Sequence, residues 1–136
     1  MPVIELDMLI AYVNSLDKLH GIATKIFNKI VKGDLKNIAV PVSAYLEYNL
    51  VLRSRGYREE EICTDIESFR GIRGLGEIPL TSEILVASAS LRIKYGLTFF
   101  DSLHAASALL YDGVIISVDK AYQRIRGLEV LDPRTV

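Results

Sequence analysis

The segment Gly113-Val-Ile-Ile-Ser-Val-Asp119 is a run of apolar residues bounded by a glycine and an aspartate. It lacks the alternation of polar and apolar residues that a half-exposed strand shows, so it predicts a strand over residues 114–118 that is buried on both faces. Further short strands are predicted over residues 3–6, 38–40, 77–81 and 128–131. Strands buried on both faces are typical of a parallel sheet that is covered by helices on each side.

Helical patterns alternate with these strands. Apolar residues recur at three- and four-residue spacing over residues 19–30, which predicts an amphipathic helix that ends near Gly33. Ser43 is expected to cap a later helix, and Asp101 is expected to open another. The remaining helices are predicted over residues 8–13, 43–54, 59–70, 82–95, 101–110 and 121–125. Without repeats or linkers, this alternation predicts one α/β domain over residues 1–136, with three α/β/α layers and a short parallel sheet.

Composition excludes several classes of protein. A chain of 136 residues with 50% hydrophobic and 24% charged residues has the size and balance of one globular domain. The net charge of −1 argues against binding to nucleic acid by bulk charge alone. No apolar stretch predicts a membrane span, and no signal peptide is evident. The single cysteine, Cys63, fits a cytoplasmic protein, and its helical spacing from apolar neighbours predicts that it fills the core.

Several familiar catalytic motifs are absent. The segment Gly71-Ile-Arg-Gly74-Leu-Gly76 has the glycines of a dinucleotide fingerprint in reversed order and follows no strand, so we interpret it as a turn. There is no lysine-containing phosphate loop and no nucleophile elbow. His20 and His104 are too far apart in sequence to suggest a zinc site, and Cys63 adds no ligand-like spacing. These absences leave chemistry based on carboxylates.

Four acidic residues occupy positions that a divalent-metal site would use. Asp7 and Asp119 follow predicted strands, whose carboxyl ends border the ligand crevice of such sheets. Asp101 opens a predicted helix, and Glu47 has no basic partner on its own helix and borders its apolar face. Each Asp alone could instead cap a helix or turn, and Glu47 could be a solvated residue. Because clustered carboxylates destabilise a fold unless a cation binds them, a metal site is our first hypothesis; we expect His104 to pack beside it rather than bind the ion.

The chain resembles PIN-domain proteins, in particular the VapC-like toxin ribonucleases of type II toxin–antitoxin modules. Five short segments carry the resemblance, and their order and spacing extend it nearly from end to end. They cover residues 3–7, 19–23, 43–47, 97–106 and 116–120.

The resemblance implies that four acids form the metal-binding set: Asp7, Glu47, Asp101 and Asp119. It also implies that Ser117 supplies a hydroxyl that supports this set. It also implies a sheet flanked by helices and cleavage of RNA with Mg²⁺ or Mn²⁺. In one respect the chain departs from the family. Members usually carry a small polar pair after the first Asp, often a hydroxyl residue and then Asn, whereas here Met8 and Leu9 follow Asp7.

Partners are inferred from the resemblance and from surface patterns. We expect an RNA substrate, a small antitoxin protein and a homodimer. The dimer expectation rests on a surplus of large apolar and aromatic side chains, namely Tyr45, Tyr48, Leu109, Leu110 and Tyr111. Lys120, Arg124 and Arg126 follow Asp119 closely and could meet RNA phosphates. Two alternatives stay open: a PIN-type nuclease of RNA processing without an antitoxin, and an inactive PIN-like RNA-binding or interaction module, which the Met8-Leu9 departure suggests.

Overall fold

Five short strands form one parallel sheet in the computed structural model, which describes residues 2–136. In chain order they are β1 (Val3–Ile4), β2 (Ile38–Pro41), β3 (Leu75–Ile78), β4 (Val114–Ile116) and β5 (Glu129–Leu131). Their order across the sheet is β3-β2-β1-β4-β5, and every neighbouring pair is parallel. The first strand of the chain therefore lies in the centre of the sheet, as the predicted parallel architecture allows.

Helices connect the strands on both faces of the sheet. Within residues 2–136 they are α1 (Leu6–Val13), α2 (His20–Lys32), α3 (Val42–Ser54), α4 (Glu59–Arg70), α5 (Ser82–Tyr95) and α6 (Phe99–Leu109), with a 3₁₀ turn over Lys120–Arg124 before β5. Helices α1 to α4 pack on one face, and α5 and α6 pack on the other. The predicted three-layer α/β/α arrangement is confirmed.

Alternate residues of the central strands enter two separate cores. Ile4 and Ile116 face the helices α1 to α4, whereas Val3 and Ile115 face α5 and α6. Successive side chains of a strand point to opposite faces, so a strand covered on both sides must be apolar throughout. All four side chains are buried, and each such burial stabilises the fold by roughly 1.5–3 kcal/mol.

An aromatic group fills the core beneath α1 to α4. The ring of Phe69 lies 5.5–6.4 Å from those of Tyr12, Phe27, Tyr45 and Tyr48. Tyr45 and Tyr48 are both buried, so the expectation that they belong to a self-association surface is wrong. Their rings supply core volume instead.

Several predicted boundaries are also wrong. Strand β3 begins at Leu75 rather than at residue 77, because it pairs with β2 from Ile38↔Leu75 onwards. Gly74 makes the turn into it at φ +87°, where an added Cβ would lie 2.9 Å from the carbonyl oxygen of Ile30.

The prediction that Cys63 fills the core is wrong, because Cys63 is exposed on α4.

Two predicted helix caps are replaced by neighbours. Pro41 is the N-cap of α3, and Ser43 lies inside the first turn of that helix. Thr98 caps α6, where its Oγ1 accepts a hydrogen bond from the backbone N–H of Asp101 at 3.3 Å. Neither Ser43 nor Asp101 therefore uses its side chain to cap a helix.

Within residues 2–136, no helix is both long and apolar enough to cross a membrane.

Candidate active site

The sheet order creates a crevice at the carboxyl ends of its two central strands. From β1 the chain moves through β2 to one edge of the sheet, and it then returns to add β4 on the other side of β1. The loops after β1 and β4 consequently lead away in opposite directions. In open α/β sheets this switch point is where ligands bind. Here the two loops carry Glu5 and Asp119.

Glu5, which sequence reasoning missed, is the acid at the end of β1. The strand ends at Ile4 and α1 begins at Leu6, so Glu5 is the junction between them and is only 4% exposed. Asp7 lies in the first turn of α1 and is exposed, so its predicted position at the strand end is wrong. The signal was present in the sequence: an acid inside a run that is buried on both faces has no solvent side.

Burial and neighbouring negative charges act on two carboxylates at this crevice, Glu5 and Asp7. Burial raises the pKa of Glu5 well above its ordinary value, and the charges of Asp7, Asp101 and Glu47 raise it further. Loss of hydration also raises the pKa of Asp7, followed by the charges of Asp119, Glu47 and Asp101. The predicted acids Glu47, Asp101 and Asp119 therefore lie near enough to Glu5 or Asp7 for their charges to act on these two groups.

Ser117 connects the loops after β1 and β4. Its buried Oγ donates a long hydrogen bond to Oε1 of Glu5 (3.4 Å) and accepts one from the backbone N–H of Asp119 (3.0 Å). Asp119 also caps the 3₁₀ turn, since its Oδ1 accepts from the N–H of Ala121 at 2.9 Å. The capping interpretation of Asp119 is therefore correct, yet its charge still acts on Asp7.

Asp101 is held by a tyrosine that the sequence did not identify. The hydroxyl of buried Tyr122 donates to Oδ1 of Asp101 at 3.2 Å. Burial and the nearby charges of Glu5 and Asp101 raise the pKa of Tyr122, so the phenol keeps its proton at neutral pH. Because Thr98 already caps α6, capping does not account for Asp101.

Glu47 is held by His104, which packs beside the acids as expected. His104 is fully buried on α6, and its Nε2 lies 2.8 Å from Oε1 of Glu47 on α3. The other ring nitrogen, Nδ1, lies 2.8 Å from Oγ of Ser43. The side chain of Glu47 itself keeps 20% of its surface exposed.

The acids at the crevice offer carboxylate oxygens, the type of ligand that Mg²⁺ and Mn²⁺ prefer. Within residues 2–136, no Lys or Arg forms an ion pair with any of the five carboxylates. In the same part of the chain, no three His, Cys, Asp or Glu side chains are close enough to enclose an ion by themselves. Magnesium prefers carboxylate oxygens and keeps several of its waters, so a loosely spaced acidic set suits it better than a closed cage.

Basic side chains flank the acids. A pocket of about 290 Å³ beside Asp7 includes the exposed Lys18 in its lining. Lys120, next to Asp119, is also exposed. Arg124 is more constrained, since its Nη2 donates to the backbone oxygen of Tyr95 at 3.1 Å.

The PIN domain family model matches residues 7–128 of this chain. The protein therefore belongs to the PIN domain family.

Solved structures share the fold at low sequence identity. VapBC2 from Rickettsia felis, solved bound to a promoter DNA fragment, is 14% identical with a TM-score of 0.72, covering 94% of this chain and 95% of its own. A toxin–antitoxin complex from Klebsiella pneumoniae is 19% identical with a TM-score of 0.66, covering 98% of each chain. FitAcB from Neisseria gonorrhoeae is 10% identical with a TM-score of 0.70, covering all of both chains. No curated protein matches in sequence. These likenesses establish the fold.

The raised pKa of Glu5 predicts how the metal-free protein responds to pH. An acid whose folded pKa exceeds the unfolded value of about 4.3 destabilises the fold once it ionises, so wild-type stability should fall as pH rises through the folded pKa. Glu5→Gln keeps an oxygen that can accept from Ser117 and removes the charge. It should raise the Tm at neutral pH by a few degrees and flatten this dependence. Thermal melts in chelator across this pH range measure both effects.

The matched control is Glu129→Gln, which removes an exposed carboxylate on β5. It should leave the pH dependence of the Tm as in wild type. Equal pH dependence of the Tm in Glu5→Gln and wild type would contradict the assignment of Glu5 to the repelling cluster.

Proposed function

We propose that this PIN-domain protein is a divalent-metal-dependent endoribonuclease that hydrolyses phosphodiester bonds of RNA and acts as the toxin of a toxin–antitoxin pair. The observation that carries the proposal is the group of five carboxylates at the switch point of the sheet, without an ion-paired Lys or Arg in residues 2–136. Such a group repels an RNA backbone unless cations bind first. Metal-dependent phosphodiester chemistry explains why the acids are gathered there.

In this proposal each carboxylate has a ligand or supporting role. Asp7 and Asp101 would be central ligands for Mg²⁺ or Mn²⁺, with Asp119, Glu47 and Glu5 completing the site directly or through water. When bound, the metal supplies a water of lowered pKa and polarises a phosphoryl oxygen.

The remaining groups orient the acids and the substrate. Ser117, Tyr122 and His104 each hold one carboxylate in place. His104 does not serve as a general base, because it is buried and both its ring nitrogens have partners. Lys18, beside Asp7, and Lys120, next to Asp119, are exposed and would be available to RNA phosphates.

The departure at Met8 and Leu9 has a packing explanation. Both side chains are completely buried in the core beneath α1 to α4, so they do not stand beside the acids. With Glu5 as the first acid, the following two positions are Leu6 and Asp7, and Asp7 supplies a polar group at the crevice. This arrangement weakens the case for an inactive module.

A surface groove supports the antitoxin part of the proposal. The similar structures named above include toxin–antitoxin complexes. In this chain a concavity of about 380 Å³ lies between α1, α3 and the start of α4, and Ile10, Val13, Leu52 and Tyr57 contribute to its lining. Leu16 at its rim is 92% exposed. Because Arg55 and Asp65 also line this groove, an antitoxin segment that covers it would carry charged as well as apolar side chains.

Self-association is proposed on a smaller surface than the sequence suggested. Leu110 and Tyr111, which follow α6, are exposed, whereas Tyr45 and Tyr48 are buried. A homodimer would therefore use Leu110 and Tyr111 rather than the buried pair.

We expect hydrolysis of single-stranded or loop RNA with Mg²⁺ or Mn²⁺, loss of activity in chelator and recovery on adding metal. Asp101→Asn should lower the cleavage rate by about 100-fold or more, because metal stabilisation of the transition state contributes several kcal/mol. Asp34→Asn, at an exposed position after α2, is the control and should cleave normally. Cleavage of labelled RNA and matched single-stranded DNA is followed by gel. Undiminished cleavage in chelator by the purified protein, or by Asp101→Asn, would refute the metal mechanism.

Expression should arrest growth, and co-expression of the product of a short neighbouring reading frame should relieve the arrest. Leu16→Asp should weaken co-purification with that product, because it puts a charge into the groove. Ile93→Asp is the control, since Ile93 is 87% exposed on α5 across the sheet. Growth arrest without a relieving partner would favour RNA processing over a toxin–antitoxin role. Equal loss of co-purification in both variants would argue against the groove.

Light scattering should give the mass of a dimer for the wild-type protein, and Tyr111→Asp should shift it toward the mass of a monomer. The physical reason is that a charge on an apolar contact must be desolvated when the contact forms. A monomer mass for the wild-type protein over a wide concentration range would refute self-association.

A further inference from the structure

His104 is a buried group that links two positions on a neighbouring helix. We infer that His104, anchored by Ser43, is a positioning residue that holds Glu47 in the orientation required for metal binding; this inference rests on the proposed function. Ser43 and Glu47 are four residues apart on α3, so they lie on one face of that helix. The imidazole of His104, from α6, bridges them with contacts of 2.8 Å to each.

The direction of the Glu47 contact follows from the chemistry of the partners. An ionised carboxylate has no proton, so Nε2–H of His104 must donate to Oε1 of Glu47. In a neutral ring Nδ1 then accepts the Ser43 hydroxyl proton, whereas in a charged ring Nδ1 donates to the Ser43 oxygen. The Ser43 hydroxyl can donate or accept a hydrogen bond. Nε2–H of His104 therefore donates to Glu47 whether the ring is neutral or charged.

The imidazole has little freedom to turn. His104 is fully buried, and the ring of Phe100 stacks against it at 6.2 Å and 30°. Rotation of the ring would leave two buried nitrogens without hydrogen-bond partners, which is unfavourable. Ser43 and Phe100 therefore fix the position from which Nε2 donates.

Glu47 requires such a restraint because of its neighbours. Its charge raises the pKa of Glu5 and of Asp7, so it lies within their repulsive field. In metal-free protein this repulsion drives a partly exposed side chain toward solvent. The charge-assisted hydrogen bond from His104 opposes that motion and keeps the carboxylate at the crevice before an ion arrives.

The test compares two amides at position 104 in the full-length protein. A Gln amide reaches the place of Nε2 and can donate to Glu47, whereas an Asn amide reaches the place of Nδ1 and can bond only Ser43. His104→Asn should weaken Mn²⁺ binding about 10-fold to 100-fold, and His104→Gln should retain most of it. Titration calorimetry with Mn²⁺ alone measures both, without any need for RNA.

Ser43→Ala and Ser107→Ala form a second matched pair, useful if a His104 variant fails to fold. Both serines are buried, but Ser107 Oγ donates to the Leu103 carbonyl oxygen of its own helix at 2.8 Å. Ser43→Ala should lower Mn²⁺ affinity toward the smaller end of that range, about 10-fold, and Ser107→Ala should leave it unchanged. In a Glu47→Gln background, His104→Asn should cause no further loss.

The outcomes separate this inference from the proposed function. Equal Mn²⁺ affinities for wild type and folded His104→Asn, or equal losses in the Gln and Asn variants, overturn the positioning role and leave the nuclease proposal intact. Mn²⁺ binding by a wild-type protein that cleaves no RNA overturns the nuclease proposal, while the Gln–Asn contrast still supports the positioning role. A wild-type protein that binds no Mn²⁺ overturns both.

Discussion

Mutual repulsion of carboxylates at the carboxyl edge of the sheet is the constraint on which the rest of the site depends. Glu5 is nearly buried at the end of the central strand, and its burial, followed by the charges of Asp7, Asp101 and Glu47, raises its pKa. A fold gains nothing in stability from that arrangement, because each buried charge without a counter-charge is costly. In the proposed function a cation would complete this site, and its binding would then stabilise the domain.

The acids remain together because hydrogen-bond donors from separate elements hold them individually. Ser117 donates to Glu5 from the loop after β4, Tyr122 donates to Asp101 from the 3₁₀ turn, and His104 donates to Glu47 from α6. A hydrogen bond to a charged group contributes about 1.5–3 kcal/mol, enough to offset part of the repulsion. The donors differ in chemistry, yet each directs an N–H or O–H group at its carboxylate.

The division of the sheet into two cores explains how one crevice gathers residues from the whole chain. The aromatic core under α1 to α4 brings α3, and with it Glu47, to the edge of the sheet. The second core brings α6 with Asp101 from the opposite face. The short β4–β5 connection supplies Asp119. Membership of the PIN domain family accounts for this architecture, and the proposed chemistry follows from what the architecture brings together.

The sequence by itself determined the fold class and most of the acidic set. Apolar runs such as residues 114–116 favour a parallel sheet that is covered on both faces, and α2 ends at Gly33, where the pattern predicted its end. Asp101 and Glu47 were also identifiable, because carboxylates on apolar helices need a reason to be there.

Only the tertiary structure decided which side chains serve the acids and where each element ends. The first strand stops at Ile4, so Glu5 rather than Asp7 occupies its carboxyl end. Ser43 is not a cap, because its hydroxyl bonds His104 sixty-one positions away. Strand ends are set by pairing with distant strands, and hydrogen-bond partners are set by helices that pack from opposite faces. The local spacing of residues along the chain indicates neither the strand ends nor the hydrogen-bond partners, so both became evident only from the tertiary structure.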